Sequence, residues 1–239
     1  MRKSILVMSG KGGVGKTTVA INLSYSLFKK GFSVGILDVD LHGPNVLKMF
    51  GYENVRLDSI NNKLMPLIVN PKLKIASIAG YIDDKSATIW RGPRKHGVIK
   101  QLSEDVNWGE LDYLIVDFPP GTGDEHISTA QILTDIKGAV IVSTPQSVSI
   151  MDMDRTFDFC KHMQIPILGV IENMSGGIFG NDSVRKKCVN DNLNFLGKLT
   201  LSENIVLASE EGKPFVSNDD QIINNDFNKI IKNLLEEIK

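Results

Sequence analysis

Cysteine is scarce: Cys160 and Cys188 are the only thiols in 239 residues, and they stand 28 positions apart. Two such distant cysteines build no secreted disulfide framework, which points to a reducing cytoplasm. Long apolar runs are missing too. Nothing approaches the roughly 18 consecutive apolar residues that span a bilayer, and the short run in MRKSILVMSGKGG is too brief for a signal-peptide core. Charge of one sign is also absent. The 27 basic and 28 acidic residues leave a net charge of −1, so no overall basic field recommends a nucleic-acid partner. With no internal repeat, low-complexity tract or linker, the chain reads as one domain over residues 1–239.

What is present is a rhythm. Short β-rich runs fall at 4–9 (SILVMS), 33–37 (SVGIL), 73–78 (LKIASI), 113–116 (YLIV), 139–143 (AVIVS) and 167–171 (ILGVI). Several are apolar almost throughout, as strands covered on both faces must be. Helical patterns lie between them. Val19, Leu23 and Leu27 repeat every four residues and stop at Gly31, while Met153, Phe157 and Cys160 mark a second helix ending before Pro166. The alternation implies an α/β fold, a mostly parallel sheet with helices on both faces. The least periodic stretch, 51–70, reads as an insertion of loops or a small hairpin.

Residues 10–17, GKGGVGKT, satisfy G-x-x-x-x-G-K-[ST] between a predicted strand and a predicted helix, the context this phosphate-binding motif requires. Gly10, Gly12, Gly13 and Gly15 let the loop amides, Val14 among them, turn inward toward phosphate oxygens beside a helix N-terminus, with Thr18 following. Lys16 is expected to reach the β- and γ-phosphates, and Thr17 to ligate Mg²⁺. Asp117 follows YLIV directly and reads as a Walker B carboxylate holding the metal through water. Asp38 and Asp40 follow SVGIL at another strand tip, where ligands gather in open α/β sheets. Asp40 is assigned to orient an attacking water, with Asp38 in support. Simple turn-capping aspartates are the alternative. A second lysine in the cradle, Lys11, is not explained by the motif alone.

Together, KGGVGKTT (11–18), DVDLHGPNV (38–46), WRGP (90–93), DFPPGTGDEH (117–126), STPQ (143–146) and GVIENMS (169–175) resemble the Mrp family, within the MinD, ParA and nitrogenase-iron-protein group of ATPases with a deviant Walker A loop. The match runs over about residues 4–214. The resemblance implies a P-loop ATPase that binds ATP and Mg²⁺, and a homodimer sandwiching ATP in which Lys11 reaches the partner subunit's nucleotide. It implies assistance to iron–sulfur cluster assembly or transfer, with scaffold or client apoproteins as partners. Asn173 resembles the asparagine that reads adenine, and residues 119–124 resemble a switch segment. Arg91 is read as a structural ion pair before a partner or phosphate contact. His42 and His126 flank the switch loops, where ordinary loop hydrogen bonding is the simpler role against nucleotide sensing.

One feature of the resembled family is missing. Its carriers place C-x-x-C shortly after ENMS, but this chain reads ENMSGGIFGNDSVRKKC. Direct cluster binding therefore departs from the pattern, and the cluster ligands stay unassigned. Cys188 shares a helical face with Val184 and reads as a packed thiol before a ligand; Cys160 lies on an apolar stripe. The competing function is a positioning ATPase of the MinD or ParA kind acting on membrane or DNA. An ATP-dependent synthetase would bring further motifs, and none is seen. In the tail, Ile223, Phe227, Ile230, Ile231, Leu234 and Ile238 form an apolar stripe beside a polar face of balanced charge. That balance favours docking on the chain's own core over a membrane.

Overall fold

The computed structural model describes residues 2–40, 43–61, 63–81, 92–180 and 182–239, without the side chains of 92–96, 124 and 125. The expectations for Arg91 and His42 concern residues outside this set. All six sequence runs become strands: β1 (Lys3–Met8), β2 (Val34–Asp38), β6 (Leu73–Ser77), β7 (Tyr113–Asp117), β8 (Ile136–Ser143) and β9 (Ile167–Ser175). They join β5 (Leu67–Asn70) and β10 (Phe195–Thr200) in one sheet of order β10-β9-β8-β1-β7-β2-β6-β5, in which β5 alone pairs antiparallel. The irregular 51–70 stretch supplies a small hairpin of β3 (Ser59–Ile60) and β4 (Lys63–Leu64), and then the edge strand β5.

Alternation along the central strands divides the core into two layers. On β1, Ile5 and Val7 face one cluster, shared with α1 (Lys16–Lys29), α2 (Val46–Met49) and α9 (Gln221–Glu237). Leu6 and Met8 face the other, with α4 (Gly92–Glu104), α5 (Asp124–Ile132), α6 (Ser147–His162) and α7 (Ser183–Asn190). Helix α1 stops as its spacing predicts, with Gly31 at φ +96° just past its end. The tail stripe is fully engaged: Ile223, Phe227, Ile230, Ile231, Leu234 and Ile238 are all buried, and α9 packs on β10. Among the described residues no helix is long and apolar enough to cross a membrane.

Register sets up the site. Asp38 pairs directly with Asp117 across β2 and β7, and with Ser77 across β2 and β6. The last residues of three parallel strands therefore stand in a row at their carboxyl ends, beside the loop leaving β1.

Candidate nucleotide site

Residues 9–15 connect β1 to α1 and form the floor of a cleft of about 410 Å³ lined by Lys11, Lys16, Thr17, Asp40 and Pro120, among others. Gly13 and Gly15 hold φ of +77° and +83°, the left-handed region that only glycine enters readily. At Gly15 space is also closed, because an added Cβ would overlap the Asn173 amide. At Gly10 it would overlap the Asp152 carbonyl of α6. Val14 points into the core, Gly12 and Gly13 lie exposed, and Thr18 is half-buried in the first turn of α1.

Lys16 is buried and its Nζ donates to Asp117 Oδ1 at 2.5 Å, while Thr17 Oγ1 donates to Asp117 Oδ2 at 2.7 Å. Both oxygens of one fully buried carboxylate are thus committed to the first two residues of α1. Burial pushes the Asp117 carboxyl above its ordinary value, opposed by Lys16 and Thr17. Asp38 is equally buried. It accepts from Ser77 Oγ at 2.8 Å and from the backbone N–H groups of Asp40 (3.1 Å) and Val46 (3.3 Å). Burial, reinforced by the Asp117 charge, pushes it up to about 7. Asp38 therefore braces the start of α2 and the turn after β2, whereas Asp40 lines the cleft and accepts from Gly43 N–H at 3.3 Å.

Lys11 stands half-buried at the cleft's rim and makes no ion pair among the described residues. Asn173 lies within β9, which runs past the apolar stretch 167–171 to Ser175, and its Nδ2 donates to the Val14 carbonyl at 2.8 Å. Its donor is thus engaged by the phosphate loop. Its side chain also borders a second recess of about 180 Å³, shared with Met174, Thr200, Leu201, Ile205 and Val206. Sequence reasoning passed over the neighbouring Glu172. Fully buried, this carboxylate accepts from Ser175 Oγ (2.6 Å), Asp182 N–H (2.9 Å) and Val184 N–H (3.0 Å), which caps α7 across a loop. Its signal, an acid directly after the apolar run ILGVI, was legible.

The residues fit a magnesium nucleotide. Two fully buried carboxylates, Asp38 and Asp117, share Lys16, the single buried Lys or Arg among the described residues, and Thr17 adds a hard oxygen donor. Thiolate chemistry is another matter. Cys160 and Cys188 are both fully buried, and burial pushes their thiols up to about 12 and about 11 respectively. Among the described residues no group of three or more His, Cys, Asp or Glu is placed to hold a metal ion.

Comparison with known proteins agrees with this architecture. The chain is 42% identical to the iron-sulfur cluster carrier protein of Methanocaldococcus jannaschii, over all of this chain and 86% of that one. It is 44% identical to a cytosolic Fe-S cluster assembly factor, the NUBP2 homolog of Dictyostelium discoideum, over 89% and 86% of the two chains. Among solved structures, the nucleotide-binding protein of Archaeoglobus fulgidus in complex with ADP superposes with a TM-score of 0.77 at 31% identity, covering 91% of this chain and 89% of that one. The septum site-determining protein MinD of Pyrococcus horikoshii, complexed with Mg-ADP, gives 0.78 at 25% identity over 97% and 95%. The model of the ParA family, described as NUBPL iron-transfer P-loop NTPase, matches residues 1–235, and this chain belongs to that family.

Proposed function

We propose that this chain is a magnesium-dependent ATPase that assists iron–sulfur cluster assembly or transfer, closing as a homodimer around ATP. One observation carries the reading: Lys16 and Thr17 converge on Asp117 beneath a glycine cradle, in a chain 42% identical to an iron-sulfur cluster carrier protein. The loop amides from Gly12 to Thr17 receive the triphosphate, and Lys16 exchanges Asp117 for phosphate oxygens. Thr17 and, through water, Asp117 would hold Mg²⁺, which neutralises charge on the phosphates when bound. Asp40 orients the attacking water from the cleft wall. Asn173 bridges the phosphate loop and the smaller recess, where its carbonyl oxygen faces an adenine edge. Lys11 serves the partner subunit's nucleotide, so that dimer closure gates hydrolysis.

The cluster itself is cargo. With both thiols buried and held protonated, this chain offers no thiolate at neutral pH, so a cysteine-bearing scaffold or client holds the cluster while this chain supplies the nucleotide cycle. The test pairs two assays. Wild-type protein is expected to turn over ATP with Mg²⁺, and Lys16→Ala to lose that turnover. Anaerobic reconstitution of the chain alone is expected to leave it without bound iron and sulfide. No turnover with or without a client protein would refute the ATPase, and a stable cluster on the isolated chain would refute the division of labour.

A further inference from the structure

The segment after Asp117 begins Phe118-Pro119-Pro120-Gly121, and its two prolines carry no N–H. Phe118 N–H donates to the Val7 carbonyl at 3.1 Å, and beyond it the two prolines offer no backbone donor. Two further bonds hold the stretch. Gly121 N–H donates to the Ser9 carbonyl at 3.1 Å, and His126 Nε2 lies 2.9 Å from the Pro119 carbonyl. A carbonyl oxygen only accepts, so Nε2 carries the proton. His126 is 4% exposed, with its ring centroid 5.7 Å from Phe118 and 6.0 Å from Phe159 of α6. Pro120, next to the anchored carbonyl, forms part of the cleft wall, and Ser9 in turn donates from Oγ to the Lys11 carbonyl at 2.9 Å.

We infer that His126 is a positioning residue: its Nε2–H, donated to Pro119, sets where Pro120 and Gly121 stand against the phosphate loop. The ring wedged between Phe118 and Phe159 fixes the direction of that donor, so the imidazole acts on the nucleotide through Pro119 without touching it. The consequence for turnover rests on the ATPase reading above; the anchoring itself does not.

Two substitutions separate the donor from the ring. His126→Phe keeps an aromatic ring and removes the donor, whereas His126→Gln keeps a donor near the Nε2 position and removes the ring. Two readouts are taken, steady-state ATP turnover and amide hydrogen exchange over residues 118–124 without nucleotide. His126→Phe is expected to lower kcat about tenfold, the scale of one net hydrogen bond, with KM for ATP within about twofold. The Gly121 amide is expected to exchange faster in that variant, and His126→Gln to restore both values. Unchanged exchange in His126→Phe overturns the inference. So does a Gln variant as impaired as the Phe variant, which would reduce the imidazole to packing. If His126→Phe fails to fold, the Gln variant decides: wild-type exchange supports the anchoring, and open exchange overturns it. A wild-type chain without turnover would defeat the ATPase reading alone, because exchange still tests the anchor.

Discussion

Gly15 must satisfy two constraints at once, a left-handed φ and direct contact with the Asn173 amide, so both backbone and space exclude a side chain there. Its neighbours Lys16 and Thr17 were legible for a similar reason: the phosphate motif specifies residue types at fixed spacing within a few residues. Asp38 was legible only as a strand-tip carboxylate. That it braces Ser77 and Val46, leaving Asp40 on the cleft wall, depends on β2–β6 register, which local pattern does not encode. Its burial has a measurable consequence. Asp38 rises from 3.8 to about 7 on folding, first through burial and then through the Asp117 charge. The folded chain therefore keeps a proton that the unfolded chain releases first. Its stabilising contribution is complete below about pH 4 and is lost as pH rises toward 7. Urea denaturation of nucleotide-free, metal-free protein is expected to show this decline across the window, and Asp38→Asn to flatten it. A variant whose midpoint follows the wild-type slope throughout would remove Asp38 as the cause.

At the scale of elements, the strands that the sequence showed are those buried on both faces, where apolar composition and strand length agree. Strand β10 was missed because FLGKLT mixes signals. Gly197 leaves room for Ile230 of α9, and Lys198 turns outward to Asp182 at 3.1 Å, so neither continuous apolarity nor clean alternation survives. The end of β9 was missed because ENMS is polar. Glu172 and Asn173 sit there as strand residues because each finds buried partners. Helix α9 was read from periodicity alone, and its docking followed from the weak charge bias of its outer face. Asp220 caps its start, accepting from the N–H groups of Ile222 and Ile223. Phe227, fully buried, meets Phe215 edge-on at 5.2 Å. Phe227→Ala is expected to cost roughly 3–5 kcal/mol by denaturant unfolding, with nucleotide affinity of the surviving folded fraction unchanged. A loss below about 0.5 kcal/mol, within the range of surface changes, would show that α9 does not hold this edge of the sheet.

For the whole molecule, the unanswered demand is Lys11. A single chain gives it no anionic partner among the described residues, although the cleft it borders already contains the buried Lys16 for phosphate. Under the proposed function, Lys16 supplies one cation per triphosphate in cis. A second that reaches its target only when two copies meet would make hydrolysis conditional on closure, because charge developing on the phosphates is stabilised only by groups already in place. The deviant loop announced this lysine in the sequence, but no single-chain pattern fixes where a second copy sits, so the dimer comes from the family resemblance, and the charge of Lys11, unpaired among the described residues, supports it. Binding and turnover then respond differently to the loss of Lys11. Lys11→Ala is expected to bind ATP as a monomer with near wild-type affinity, since Lys16, Thr17 and the loop amides remain. Its turnover is expected to fall on the order of 10²–10³-fold, the effect of losing one preorganised donor. On the role proposed for Asp40, Asp40→Ala is expected to stop hydrolysis, keep ATP bound and accumulate an ATP-dependent dimer in light scattering, and adding Lys11→Ala is expected to abolish that dimer. Equal dimer populations in the single and double variants would place Lys11 outside the interface and leave closure to other groups.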